Sequence, residues 1–440
     1  MLINDVVCPF CGCLCDDLDV EVEGDRIVRI DNACTLGSKT MMGDHRLKNP
    51  IRRNGERWED TTYDAAIEEA AQILLDADRP VLYGWSSTHG EAQSLGVHIA
   101  ELIGGVIDST TSVCHGPSIL AIQEVGHPGC TLGQVKNRAD LIIYWASNPI
   151  DAHPRHMSRY TTYATGFFVK DAQRDRKVIV VDTRRTPSAD VADEFVKIKP
   201  GGDYAVLSAL RAIVRGRGDV VPPEVAGVTR EQLVRVAEMC KAAKFGAIFF
   251  GLGLTMTAGK NKNVRNAIEL TDELNRHTKF IISPMRGHWN VYGSNEVFTW
   301  MTGYPYAIDF ARGISFYNPG ETTVIDILRR GECDACLVVA SDPAAHFPRS
   351  CVQHLAKIPV IQIDPHPNAT THLCRLQIPG SVAGIDAEGT AYRMDGVPIR
   401  MKSIITTGIP NDTEILQKLY NRIREVKEND RTAHKKCLCI

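Results

Sequence analysis

A run of short apolar segments, each closing on a small or polar residue, constrains this chain more than any other feature. The segments are VLYGW (81–85), GVIDS (105–109), LIIYWAS (141–147), VIVVD (178–182), AIFFGLG (247–253), FIIS (280–283), CLVVAS (336–341) and VIQID (360–364). Each is too short for a helix and apolar at successive positions, so both faces are buried, as in a parallel strand covered by helices. The intervening stretches carry helical patterns. Thr61-x-x-Asp64 reads as a capping-box start, followed by apolar Ala66, Ile67, Ala70, Ala71 and Leu74, with Pro80 closing the helix. Glu91 to Ile103 reads as another helix. Alternating strand and helix predicts a doubly wound α/β architecture.

The segments also repeat. Residues 142–155, IIYWASNPIDAHPR, match residues 337–349, LVVASDPAAHFPR, and each copy is followed by a second strand ending in Asp. VIVVDTRRTPSADVADEFVKIKPG (178–201) parallels VIQIDPHPNATTHLCRLQIPG (360–380) in the same order. Two matched nucleotide-binding-like halves imply two ligands, or one large ligand lying across a pseudo-twofold axis.

The cysteines are the second constraint. Of 14 in the chain, Cys8, Cys11, Cys13, Cys15 and Cys34 fall in the first 34 residues. A chain of 440 residues buries a core without disulfide staples, so a clustered set reads as a metal site. Cys8-x2-Cys11-x3-Cys15 with a distant Cys34 supplies the four thiolates of a [4Fe–4S] cluster. The alternative is structural zinc, which commonly uses paired two-cysteine knuckles. Spacing alone leaves Cys13 open as a replacement for Cys11 or Cys15. LDVEVEGDRIVRI then reads as a hairpin, and polar residues 51–60 as a boundary. A net charge of −3 gives no basic excess for nucleic acid, and no apolar run approaches the ~20 residues of a membrane span. The N-terminus shows no signal pattern, so a cytoplasmic location is expected.

Cys114 lies in Ser112-Val113-Cys114-His115-Gly116-Pro117, just past a strand and on the side of an α/β sheet where ligands bind. A soft thiolate ligates a heavy transition metal, and the adjacent histidine can move protons near neutral pH. The bland alternative is a small buried hydrophobe.

Together the N-terminal cysteines, the Val-Cys-His-Gly-Pro loop and the paired halves resemble the molybdopterin/tungstopterin oxidoreductases of the formate dehydrogenase and dimethyl sulfoxide reductase type. The closer resemblance is to the formylmethanofuran dehydrogenase B subunits of methanogenic archaea. It is carried by CPFCGCLCDDL, SVCHGPS, ASNPIDAHPRHMSRY, SPMRGHWNVYGS (283–294) and GIDAEGTAYRMDGVPIR (384–400). The resemblance implies reversible two-electron reduction of CO2 to formate at tungsten or molybdenum held by two pyranopterin guanine dinucleotides, the first step of methanogenesis from CO2. It implies Cys8, Cys11, Cys15 and Cys34 on the [4Fe–4S] cluster, Lys39 between cluster and pterin, and Cys114 on tungsten or molybdenum. His115 and Arg286 would flank the substrate. Asn148, Asp182, Thr183, Arg184 and Asp203 would meet one dinucleotide, and Asp342, Asp364 and His366 the other. Pro200-Gly201-Gly202-Asp203 departs from the superfamily's Pro-Gly-Thr-Asp, which puts the role of position 202 in doubt. An alternative use of Arg286 is as a phosphate clamp.

The implied organisation is a cluster domain at 1–58, an α/β pterin-binding domain at 59–115 plus 315–405, an inserted α/β pterin-binding domain at 116–314, and a C-terminal helix and tail at 406–440. The larger family members close over their pterins with a C-terminal β-barrel, which this sequence lacks. A separate barrel subunit is therefore expected, beside an amidohydrolase-like subunit that condenses formate with methanofuran and iron–sulfur electron-transfer subunits. The alternatives are the catalytic subunit of a formate dehydrogenase and a non-catalytic scaffold. Other features read as bland. Gly251-x-Gly253 is a weak dinucleotide motif, Cys333 and Cys336 suit packing, and the terminal CLCI has prenylation-box geometry by coincidence. Residues 411–427 form an amphipathic helix with Ile415, Leu416, Leu419, Ile423 and Val426 on one face.

Overall fold

A computed structural model describes residues 1–437, with side chains to 429; residues 438–440 of the terminal CLCI string lie outside it. The N-terminal unit is a three-stranded antiparallel sheet of β1 (Leu2–Val6), β2 (Leu18–Glu23) and β3 (Arg26–Asp31), followed by a helix, Thr35–Met42. The polar stretch expected to be a boundary is instead a hairpin, β4 (Ile51–Asn54) and β5 (Arg57–Asp60), paired onto the edge of the main sheet. The first long helix, Tyr63–Asp76, is capped by Thr62, whose side chain accepts from Ala65 N at 3.2 Å; the cap falls one residue after the expected Thr61. Its apolar face is the expected set, Ala66, Ile67, Ala70, Ala71 and Leu74.

Strands β6 (Pro80–Gly84) and β7 (Val106–Ser109) are followed by β8 (Leu141–Trp145), β9 (Lys177–Asp182) and β10 (Glu194–Lys197). A small hairpin, β11 (Glu224–Val225) and β12 (Val228–Thr229), precedes β13 (Phe245–Phe250) and β14 (Lys279–Pro284). Short β15 (Ile308–Asp309) and β16 (Phe316–Tyr317) lead to β17 (Ala335–Val339), β18 (Val360–Ile363) and β19 (Leu376–Ile378). A last hairpin is β20 (Gly389–Tyr392) and β21 (Pro398–Met401). Two large sheets result, β10-β9-β8-β13-β14 and β16-β15-β7-β6-β17-β18-β19-β4-β5. The larger one takes in β4, β5 and β15, so its strands reach outside the 59–115 and 315–405 ranges.

The central part of the larger sheet, β19-β18-β17-β6-β7, is parallel and has the same order as the whole of the smaller one. The two halves are thus the same unit with a different chain start: β8 to β14 run in one piece between β7 and β15. The sequence repeat is geometric in detail. Ala146 and Ala340 both have φ of 48°, and the next-but-one residues, Asn148 (φ −120°, ψ 80°) and Asp342 (φ −124°, ψ 72°), both begin a proline-led turn of helix. Ser188 Oγ donates to Asn148 Oδ1 at 2.6 Å, and Thr370 Oγ1 donates to Asp342 Oδ1 at 2.6 Å. Each hydroxyl also accepts a backbone N–H, from Ile150 at 3.3 Å or Ala344 at 3.0 Å. Equivalent latches at equivalent strand ends exclude a chance match between βα units.

The C-terminal helix, Asp412–Cys437, buries Ile415, Leu416, Leu419 and Ile423 in the core of the larger half, so its apolar face is spent within the chain. Cys333 and Cys336 are buried in the same half, as packing residues. In the smaller half, Arg176 is fully buried without a carboxylate. Its Nε donates to Ala139 O at 2.9 Å, Nη1 to Thr161 O at 2.5 Å and to Ala164 O, and Nη2 to Lys136 O at 2.5 Å. The guanidinium staples the 161–176 loop to the preceding helix. Arg176→Met keeps the volume but leaves these carbonyls buried and unpaired. It is expected to lower stability by roughly 3–5 kcal/mol, read as a lower denaturant midpoint; an unchanged midpoint refutes this role.

Candidate active site

The cysteine loop is built against the smaller half. Cys8, Cys11, Cys13, Cys15 and Cys34 line a small cavity of about 10 Å³ with Phe10, Leu14, Pro154 and Arg155. All five are free thiols; four are buried and Cys34 is partly exposed. Gly37 is the pivot, because a side chain there would meet both Cys8 Sγ and Cys34 Sγ. Burial, then the neighbouring Cys15 and Cys11, push the Cys8 thiol far above its usual range. Burial likewise raises Cys15 to about 11, against the pull of Arg155. Sulfurs packed this closely without a disulfide are destabilised as thiolates unless a positive centre sits among them. Arg155 forks onto Asp17 at 2.6 and 2.7 Å, and Arg159 pairs with Asp16 and Asp17, locking the loop to the smaller half. Cys13 is the most enclosed thiol of the loop. Lys39 is exposed on the helix Thr35–Met42.

The same loop touches the other candidate centre. Gly12 N donates to Gly287 O at 3.1 Å, and Cys11 bridges His288. That partner segment carries Arg286 just past β14. Cys114 and His115 lie just past β7, the equivalent strand of the other half. The pseudo-symmetry thus brings the two expected reactive loops together from opposite halves. Cys114 is partly exposed; burial raises its thiol to about 11 while the Arg286 charge pulls it down. Arg286 is 3% exposed, stacks its guanidinium 5.4 Å from the Tyr292 ring, and leaves Nε buried with no hydrogen-bond partner.

His115 is 1% exposed, and burial followed by Arg286 holds its pKa down at about 3, so the ring is neutral. Its Nε2 is 3.3 Å from Met285 O, which can only accept, so Nδ1 takes the hydrogen bond from Ser118 Oγ at 3.0 Å. His153 Nε2, from the segment that follows β8 in the same half, donates to Arg286 O at 2.8 Å. Beneath Cys114, buried Asp108 accepts from Ser109 N, Ser112 Oγ, Ala307 N and Val324 N, fixing the turn into the cysteine.

The expected nucleotide residues stand in two equivalent sets. Asp182 Oδ1 accepts from Thr183 N at 2.7 Å and Arg184 N at 3.3 Å, and Asp364 Oδ1 accepts from His366 N at 2.9 Å. In each, Oδ2 has no hydrogen-bond partner among the described residues. Arg184 is exposed, and Thr183 and His366 are partly exposed. Asn148 and Asp342 are engaged in the latches, and Asp203 accepts from Trp145 Nε1 at 2.9 Å. Sequence reasoning missed Asp108, His153, Asn295, Arg155 and Arg159. The arginines and His153 lay inside a motif already quoted; Asp108 and Asn295 carried no local signal.

Asp364 gives a pH test. Burial, then Asp412 and Asp342, raise its carboxyl to about 7, above the unfolded value of about 3.9. Between those values the folded state holds more protons, so this group's contribution to stability falls as pH rises from about 4 to 7. Asp364→Asn removes that slope, so the variant's melting temperature relative to wild type is expected to climb between pH 5 and 8. A difference flat with pH contradicts this.

No protein-family model matches the chain. It is 50% identical to the B subunit of the tungsten-containing formylmethanofuran dehydrogenase 2 of Methanocaldococcus jannaschii, over 97% of this chain and 99% of the relative. Formate dehydrogenase H of Escherichia coli is 25% identical over 68% of this chain, but only 48% of its own length is matched. Among solved structures, acetylene hydratase from Pelobacter acetylenicus superposes with a TM-score of 0.73 over 96% of this chain and 69% of its own, at 14% identity. A chain of the formyltransferase/hydrolase complex of Methylorubrum extorquens, in complex with methylofuran, superposes with a TM-score of 0.71 over 86% of this chain and 99% of its own, at 21% identity. Fold and sequence together define a molybdopterin-type oxidoreductase related to the formate dehydrogenases. Within that class the chain belongs to the family of formylmethanofuran dehydrogenase B subunits.

Proposed function

We propose that this protein interconverts CO2 and formate, with Cys114 as protein ligand to tungsten or molybdenum held by two pyranopterin guanine dinucleotides. The observation that carries this is the meeting of Cys114, His115 and Arg286 at equivalent strand ends of two matched halves. The donor set fits such a group: a partly exposed soft thiol, a buried cation with an unspent N–H, and two strand-end carboxylates each with a spare oxygen. Tungsten is favoured by the name of the 50%-identical relative. The metal–pterin group supplies a two-electron acceptor and donor when bound.

The chain's own residues do the rest. Arg286 holds the oxygens of formate or CO2 through paired N–H donors in a site with little water, where the attraction is strongest. Neutral His115, oriented by Met285 O and Ser118, receives a proton at Nδ1 when formate is oxidised and returns it in the other direction. Asp182, Thr183, Arg184, Asn148 and Asp203 hold one dinucleotide, and Asp342, Asp364 and His366 the other. Cys8, Cys11, Cys15 and Cys34 hold a [4Fe–4S] cluster in an N-terminal cluster domain, and Lys39 stands between cluster and pterin and helps electrons pass.

Three kinds of companion follow from this reading. One is a β-barrel subunit that covers the pterins. Iron–sulfur subunits deliver electrons, and an amidohydrolase-like subunit takes formate to methanofuran; the hydrolase complex with the matching fold supports the latter. No helix among the described residues is long and apolar enough to cross a membrane. The complex purified with its companions should bind tungsten or molybdenum and form formate from CO2 under a low-potential reductant. A complex that binds neither metal overturns the proposal in favour of a scaffold.

A further inference from the structure

We infer that Asn295 is a positioning residue that locks the Arg286 guanidinium to the Cys114 loop and leaves one edge of that guanidinium open for a carboxylate-sized ligand. The inference rests on the reading of Arg286 as the substrate clamp. Asn295 lies on the helix Val291–Thr302 and is 5% exposed. Its Oδ1 accepts from Arg286 Nη1, and its Nδ2 donates to Thr111 Oγ1 at 2.9 Å and Pro305 O at 3.0 Å. A guanidinium can only donate and a proline carbonyl can only accept, so the chemistry of the partners fixes which end of the amide is which.

Thr111 belongs to the turn that ends in Cys114, and its carbonyl accepts from Cys114 N at 3.1 Å. One amide therefore joins the side chain that follows β14 to the loop that follows β7. These loops come from different halves and are far apart in the chain, so no local backbone constraint sets their spacing. The other tie between them, His115 to Met285 O, holds backbone, and the Tyr292 ring packed on the guanidinium leaves it free to turn in its own plane. Asn295 removes that freedom.

What it leaves unspent is equally specific. With Nη1 taken, the remaining side-on edge of Arg286 is Nε with Nη2. Nε is buried and has no partner, and Nη2 makes no hydrogen bond among the described residues. Parallel N–H groups on that edge match the two oxygens of a carboxylate. Asparagine suits the post because it accepts from the guanidinium without neutralising it. An aspartate would accept as well, but it would cancel the charge and turn an acceptor toward Pro305 O.

The test uses the assembled holoenzyme and formate as probe, without an electron acceptor, so that binding is read by calorimetry apart from turnover. Asn295→Ala is expected to raise the formate Kd about tenfold or more and Asn295→Asp further, with tungsten or molybdenum, pterin and iron contents unchanged. Thr111→Val, which leaves Asn295 and Arg286 intact, should raise the Kd severalfold and add nothing on top of Asn295→Ala. It serves as the readout if the Asn295 variants load metal poorly. A Kd unchanged across these variants, or additive effects of Thr111→Val and Asn295→Ala, overturns the positioning role. A wild-type holoenzyme that binds no formate overturns the proposed function itself, a result the variants cannot mimic.

Discussion

Cys114→Ala is expected to abolish interconversion of CO2 and formate while the chain still folds and still assembles with its companions. Cys114 is placed by Asp108 below, by Thr255 Oγ1 donating to its carbonyl at 2.9 Å, and by its own N–H to Thr111 O, all of which an alanine leaves in place. Only the sulfur goes. Loss of a supporting outer-shell partner already lowers metal-site activity about 10–100-fold, so loss of the protein ligand should exceed that range. Formate production, tungsten or molybdenum content and iron content are measured together. Turnover within tenfold of wild type would show that Cys114 does not touch the metal. Iron content should be unchanged, because the cysteine cavity is built from other loops.

The second large effect is expected at the N-terminal cysteines. Cys8 feels Cys15, Cys11 and Cys34 at once, so it is the central thiol of the cavity. Cys8→Ala should release most of the iron and lower the unfolding temperature of the N-terminal unit, since binding of a cluster is part of the folding free energy of so small a domain. Cys13→Ala should keep its iron, because Cys13 is the most buried thiol of the loop and is not among those that act on Cys8. Iron retained in Cys8→Ala and lost in Cys13→Ala would reassign the ligands. Spacing left that choice open; the thiols that act on Cys8 are Cys11, Cys15 and Cys34, which favours the set without Cys13.

Legibility in the sequence followed the range of the interaction. The strands were plain because a strand buried on both faces must be apolar at every position, as in FGAIFF at β13, and nothing distant alters that requirement. The polar 51–60 stretch was misread because an edge hairpin has one exposed face, and polar composition alone does not separate it from a linker. The capping error of one residue at Thr61 arose because two threonines stand side by side, and only the backbone conformation at Thr62 selects the cap.

By itself the sequence determined the two repeated halves and the cysteine loop, and its motifs singled out Cys114, His115 and Arg286 as candidates for the chemistry. Each of these is written in contiguous residues or in residue type. Tertiary structure alone decided that β7 and β14 are equivalent strands, and that their loops therefore face each other. It alone showed Asn295 tying the guanidinium to Thr111, Asp108 holding the turn below Cys114, and Arg155 and Arg159 locking the cysteine loop. Those are contacts between residues more than a hundred positions apart in most cases, made by common polar side chains that announce nothing locally. Their meaning comes from burial, which forces every donor to find its acceptor and leaves the one unsatisfied edge of Arg286 conspicuous.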